Sequence, residues 1–306
     1  MRSSSDPESI NRRRPTGLRH LWFLVLGLLL SASISAAEIH HRYFYTSDGI
    51  RLHYLEAGTG EPAILFVPGW LMPAAIFESQ LKALSDQHRV VVFDPRSQGQ
   101  SDVYRGSHRA ELRARDIHEW VTAVHAQGFV LAGWSLGVME GLDYVHRYQP
   151  TDLRGLILID NSIGEGTPPP ATPSAPGPKL DHKTYLHRFV RSMFKTQPSP
   201  ALLDTIDAST LQVSERVAAE LLAKPYPREY YRQSLLSAHV PTLYAVTAHL
   251  KYQADALLQD DPNARVAIYP HAGHALFVDE AAQFNADVAR FVATLSEHSP
   301  PLSAPQ

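Results

Sequence analysis

The chain has no cysteine. Disulfides, thiolate metal sites, lipid-modified cysteine and cysteine nucleophiles are therefore excluded. Excess charge of one sign is also lacking: 28 Lys and Arg against 31 Asp and Glu leave −3 with His neutral. That balance offers no electrostatic footprint for nucleic acid and no extended basic surface for an anionic membrane. The apolar run Leu21–Leu30 falls short of the roughly 20 residues of a comfortable membrane span. Neither an internal repeat nor a charge block is visible.

What is present begins with an export pattern. Arg12, Arg13, Arg14 and Arg19 precede the apolar run, and small residues follow, ending Ser35-Ala36-Ala37. A basic region, a short apolar region and a small-residue exit describe a secretory signal peptide over residues 1–37, cleaved near Ala37. Secretion or a periplasmic location is the expectation, with no stable membrane insertion after processing. The competing reading is an inner-membrane anchor over residues 21–36. Removal of the signal leaves roughly 270 residues, which suits one large domain.

Alternation from His40 to Thr46 and from Ile50 to Ala57, with Asp48-Gly49 between, predicts a β-hairpin. Continuous apolar runs then follow at 63–67, 89–94, 129–132, 156–159, 242–246 and 266–269, as expected of strands buried on both faces. Helical patterns lie between them, at 74–85, 110–126, 138–148, 252–258 and 278–295. The expected fold class is α/β, with a mostly parallel central sheet and helices on both faces. Residues 38–160 and 240–298 would form this core. Residues 161–239 hold no strand-like run. They open on a Pro-rich stretch, 167–178, and continue with helical patterns carrying Tyr185, Phe189, Met193, Phe194, Tyr230 and Tyr231. This segment is expected to be a helical cap over the carboxyl edge of the sheet, roofing an apolar pocket. Residues 299–306 read as a disordered tail.

The strongest motif is Gly133-Trp134-Ser135-Leu136-Gly137, between the strand at 129–132 and the helix from Val138. A serine hydroxyl is a poor nucleophile unless a sharp strand-to-helix turn projects it towards a base. Further segments have a consistent arrangement: Phe66-Val-Pro-Gly-Trp70, Phe93-Asp-Pro-Arg-Ser-Gln-Gly-Gln-Ser-Asp102 and Ala272-Gly-His274. Together these motifs resemble the α/β-hydrolase family over nearly all of the mature chain, with Pro68 where His is commoner and Ser97 where Gly is usual. Within that fold the likeness is to small serine esterases and the cofactor-free haloperoxidase group.

The resemblance implies Ser135 as nucleophile, His274 as general base, and the Leu136 and Trp70 amides as oxyanion donors. Asp94 and Arg96 are expected to hold loops together, and His271 to be peripheral. The third catalytic member departs from the family pattern. The loop after the strand at 241–246 runs Thr247-Ala-His-Leu-Lys-Tyr252 and offers no carboxylate, and Asp255 is too close in sequence to His274. Asp160, ending the strand that follows the nucleophile helix, is the expected acid, with Glu165 behind it. The implied reaction is cleavage of a carboxylic ester through an acyl-enzyme, with an apolar ester or lactone as substrate and no cofactor or metal. A lactonase or carbon–carbon bond hydrolase would use the same residues, and a non-enzymatic small-molecule binding protein is the remaining class.

Overall fold

A computed structural model describes residues 38–167, 180–223 and 225–296. The signal segment, nearly all of the Pro-rich stretch and the expected tail lie outside the described residues. Eight strands form one sheet: β1 (His40–Tyr45), β2 (Arg51–Ala57), β3 (Ile64–Val67), β4 (Val90–Asp94), β5 (Phe129–Trp134), β6 (Leu153–Ile159), β7 (Thr242–Thr247) and β8 (Arg265–Tyr269). Their order is β1-β2-β4-β3-β5-β6-β7-β8. The β1–β2 and β2–β4 pairs are antiparallel and the remaining five pairs are parallel.

The helices are α1 (Glu78–Leu84), α2 (Ala110–Ala123), α3 (Leu136–Tyr148), α4 (His182–Ser192), α5 (Pro200–Gln212), α6 (Glu215–Leu221), α7 (Arg228–Leu236), α8 (Lys251–Asp260), α9 (Leu276–Asp279) and α10 (Ala281–Ser296). Among the described residues, no helix is long and apolar enough to cross a membrane.

Strand periodicity divides the core into two layers. Phe66, Val92, Ala132, Trp134, Ile157, Ile159 and Ala245 face one side, where Leu81, Phe277 and Phe284 pack. Leu65, Val91, Leu131, Leu158, Tyr244 and Val246 face the other, against Trp120, Val138, Leu142 and Leu257. The segment expected to act as one cap is shared between these layers. Helices α4, α5 and α6 place Leu186, Val190, Ile206 and Val217 in the first cluster with Trp70. Helix α7 places Tyr231 and Leu235 in the second, beside α3. The closing helix is also broken. A single run was expected from 278, but α9 ends at Asp279 and Glu280, at φ −119° and ψ 48°, separates it from α10.

Candidate active site

The site is assembled at the carboxyl ends of β3, β5, β6, β7 and β8, where each chain leaves the sheet. At the end of β5 the Ser135 amide donates to the Ile159 carbonyl at 3.0 Å, which extends the ladder by one bond. The backbone then turns through φ 54° and ψ −120° and enters α3 directly. L residues rarely adopt this conformation, at a cost of about 1–3 kcal/mol. It persists because ladder and helix hold both sides of it. Gly137 is required by close approach: a Cβ there would run into the Val67 and Pro68 carbonyls of the neighbouring strand end.

The end of β6 repeats the device one strand over. The Asp160 amide donates to the Ala245 carbonyl at 2.9 Å, and Asp160 then adopts φ 43°. Its side chain is buried and bound on both oxygens. Oδ2 lies 2.7 Å from His274 Nδ1. Oδ1 accepts the amide and the hydroxyl of Thr247, each at 2.8 Å. The last residue of β7, just before the loop that lacks a carboxylate, thus supplies two donors that aim a carboxylate from the adjacent strand. With Oδ1 held by Thr247, Oδ2 is left to orient the imidazole through Nδ1. The expected alternative acid is elsewhere. Glu165 is paired with Arg232 at 3.1 Å, and its burial raises its pKa.

His274 sits on the turn after β8 with its side chain about one-third exposed. Its carbonyl accepts the Trp134 indole N–H at 2.9 Å, and the two rings are 5.3 Å apart. The residue before the serine therefore fixes the histidine's backbone. Asn161, next to the acid, donates from Nδ2 to the Ser135 carbonyl at 2.6 Å. Tyr244 Oη in turn donates to the Asn161 carbonyl at 2.8 Å. Burial first, and then the Asp160 charge, hold the Tyr244 phenol well above its ordinary range, so it remains a donor.

Leu136 opens α3, so its amide has no intrahelical partner. Trp70 follows Gly69 in the turn after β3, and a Cβ on Gly69 would lie 3.0 Å from Ser135 Cβ. The Trp70 turn and the serine are therefore in contact. Among the described residues, neither the Leu136 nor the Trp70 amide takes part in the backbone hydrogen bonds of the surrounding turns. The Trp70 side chain is anchored in the cap segment: its indole N–H donates to the Ala218 carbonyl at 2.9 Å, and its ring meets Phe189 edge-on at 4.9 Å. Phe189 thus packs against the Trp70 turn. Tyr230 packs elsewhere: its hydroxyl donates to Asp143 on α3, and its ring stacks on Tyr226.

Asp94 and Arg96 lie apart from this cluster. Asp94 binds His53 and the Ala74 and Gln100 amides. Arg96 is buried between Asp116 and Asp48. Thr247, Asn161 and Trp134 are the residues that the sequence reading missed. Thr247 left one usable signal, a hydroxyl at the strand end where the family pattern leads to an acid.

A model of the alpha/beta hydrolase family matches residues 64–287. The chain belongs to that family. It is 23% identical over 266 residues to AB hydrolase superfamily protein YisY of Bacillus subtilis, covering 81% of this chain and 98% of the relative. A bromoperoxidase structure from Bacillus anthracis superposes with a TM-score of 0.69 at 18% identity, covering 83% of this chain and all of that one. The esterase EaEST from Exiguobacterium antarcticum superposes with a TM-score of 0.66 at 20% identity, covering 82% and 98%. Both structural likenesses concern the fold.

Proposed function

We propose that this protein is a serine hydrolase that cleaves a carboxylic ester through an acyl-enzyme on Ser135. The observation that carries the reading is the Asp160–His274 contact, 2.7 Å at Nδ1, beside a serine held in a strained strand-to-helix turn. Ser135 Oγ attacks the ester carbonyl while His274 Nε2 takes its proton. The oxyanion is met by the Leu136 and Trp70 amides. Asp160, held by the Thr247 donors, orients the ring and stabilises the imidazolium. His274 returns the proton to the leaving alcohol, and water then releases the acid by the same steps in reverse.

The substrate class within this reading is an uncharged ester, open-chain or cyclic. Leu136 follows Ser135 and Phe189 meets the Trp70 ring, and both are half-buried; apolar side chains there favour an apolar acyl group. Export with cleavage near Ala37 belongs to the same proposal, and N-terminal sequencing of the mature protein tests it.

The deciding experiment is labelling by a fluorophosphonate, with peptide mapping, followed by a panel of p-nitrophenyl esters and lactones. Adduct on Ser135 and turnover of neutral esters are the expected results. Failure of the wild-type protein to label at Ser135 sinks the reading. Turnover confined to lactones would narrow the substrate to cyclic esters.

A further inference from the structure

The chain that leaves α4 runs directly across the His274 turn. The Met193 carbonyl accepts the Ala275 amide at 2.9 Å. Asp279, at the end of α9, accepts three amides with one carboxylate. Gly273 donates to Oδ2 at 2.7 Å, Lys195 donates to the same oxygen at 2.8 Å, and Thr196 donates to Oδ1 at 3.0 Å. Gly273 is the residue that permits the crossing: a Cβ there would lie 2.5 Å from the Met193 oxygen and 2.9 Å from the Lys195 nitrogen. The amides on both sides of His274 are thus committed to this segment, one directly and one through Asp279. Met193 and Phe194 are themselves buried in the cluster that holds α4 and Trp70.

We propose that Asp279 is a positioning residue, which makes alignment of the His274 imidazole depend on the seating of α4 by gripping residues 195–196 and Gly273 together. The inference rests on the serine-hydrolase reading above and assigns a role that the catalytic steps themselves do not require. The Gly273 and Ala275 amides, with the His274 carbonyl held by Trp134, give the turn three anchors, and the imidazole must meet Asp160 and Ser135 at once. A displacement of about 1 Å at such a point is enough to cost on the order of 10²-fold in rate. Because α4 also carries Phe189 against Trp70, the same helix touches the oxyanion turn. A poorly seated α4 therefore disturbs the base and one oxyanion donor together.

The test compares wild type with Asp279→Ala and Asp279→Asn on the full mature chain. Titration with a fluorophosphonate counts the reactive serines, and kcat is then expressed per titrated serine. Asp279→Ala is expected to lose about 10- to 100-fold in kcat and in labelling rate, with KM within about threefold. Asp279→Asn keeps one acceptor oxygen and is expected to lose less. If Asp279→Ala does not fold, the isosteric Asn variant carries the same criterion. Wild-type kcat per titrated serine in the folded variants would make Asp279 a structural residue and overturn the proposal alone. A wild-type protein that is not labelled at Ser135 would overturn the serine-hydrolase reading and this one with it.

Discussion

Two histidine–aspartate pairs in this molecule share a geometry and differ in everything around it. His274 Nδ1 lies 2.7 Å from Asp160, and His53 Nδ1 lies 2.6 Å from Asp94. The His53 side chain is 1% exposed, and its other ring nitrogen is 2.9 Å from His41 Nδ1. Asp94 also binds the Ala74 and Gln100 amides, while Ser101 bridges the His53 amide and the Asp94 carbonyl. That pair is saturated, and it ties β2, the turn after β4 and the segment after Trp70 together. The His274 side chain is 34% exposed, and its second ring nitrogen has no partner among the described residues. A close His–Asp contact is thus not by itself a base. The pairs differ in that the second nitrogen of His274 is unpartnered, among the described residues, on a partly exposed ring, as the proposed general base requires.

The largest expected effect tests the hydroxyl. Ser135→Ala should lower kcat by about 10⁶-fold while the protein stays folded; near-wild-type turnover would reduce both pairs to architecture. The next step separates them. Asp160→Asn should cost about 10³–10⁴ in kcat with little change in unfolding midpoint, by analogy with other triad aspartates. His53→Gln should do the reverse. Turnover per titrated serine should persist, while stability drops by about 1–3 kcal/mol because buried Asp94 loses a partner. Equal kinetic losses in the two variants would erase the distinction drawn between the pairs.

A smaller effect concerns the Asp160–His274 pair. Thr247→Val removes one of the two Thr247 donors to Asp160 and leaves the amide in place. A hydrogen bond to a charged group is worth about 1.5–3 kcal/mol, so kcat should fall on the order of tenfold or somewhat more. Thr247→Ser should recover most of it. If valine is as active as serine at this position, the amide alone aims Asp160.

Which parts of this arrangement were legible in the sequence follows from how local they are. The serine turn reads clearly because strand, Gly-x-Ser-x-Gly and helix lie within about 20 residues of one another. Asp160 was reachable only by noticing that the loop after β7 holds no acid and by the family likeness. The donors that aim it were invisible. Thr247 is one hydroxyl at the end of a strand, and its partner lies 87 positions away. The segment at 161–239 showed its helices but not their layers, since an apolar stripe tells that a helix packs and not on what. Tyr231 and Leu235 joined α3, whereas Leu186 and Val190 joined the Trp70 cluster. The attachment of residues 193–196 to the His274 turn left no sequence signal beyond Gly273 itself, whose missing side chain makes the crossing possible.

The smallest expected effect asks whether buried histidines outside both pairs set acid stability. His108 is fully buried, with Nε2 at 2.9 Å from Ser97 Oγ and Nδ1 at 3.5 Å from Glu220. Burial lowers its pKa below 6.5, only partly opposed by Glu220, with Arg96 and Arg216 acting in the same direction as burial. His88 is lowered by burial as well, with a backbone contact at Pro62 and the charge of Glu61 opposing. In the unfolded chain both imidazoles take up protons near 6.5, whereas the folded state resists. Above 6.5 both states are neutral and these groups add no slope. Below it the unfolded state binds more protons, so stability falls as pH falls until the folded values are reached. Each group can add at most about 1.4 kcal/mol per pH unit. His108→Gln should therefore flatten the decline of Tm below pH 6.5 and leave the pH–rate profile in place, because His108 touches neither Ser135 nor His274. Thermal unfolding of both proteins across that range is the measurement. An unchanged slope would mean that the protons are taken up elsewhere, and a shifted rate profile would mean that the stability of the Ser97 turn is coupled to the Asp160–His274 pair.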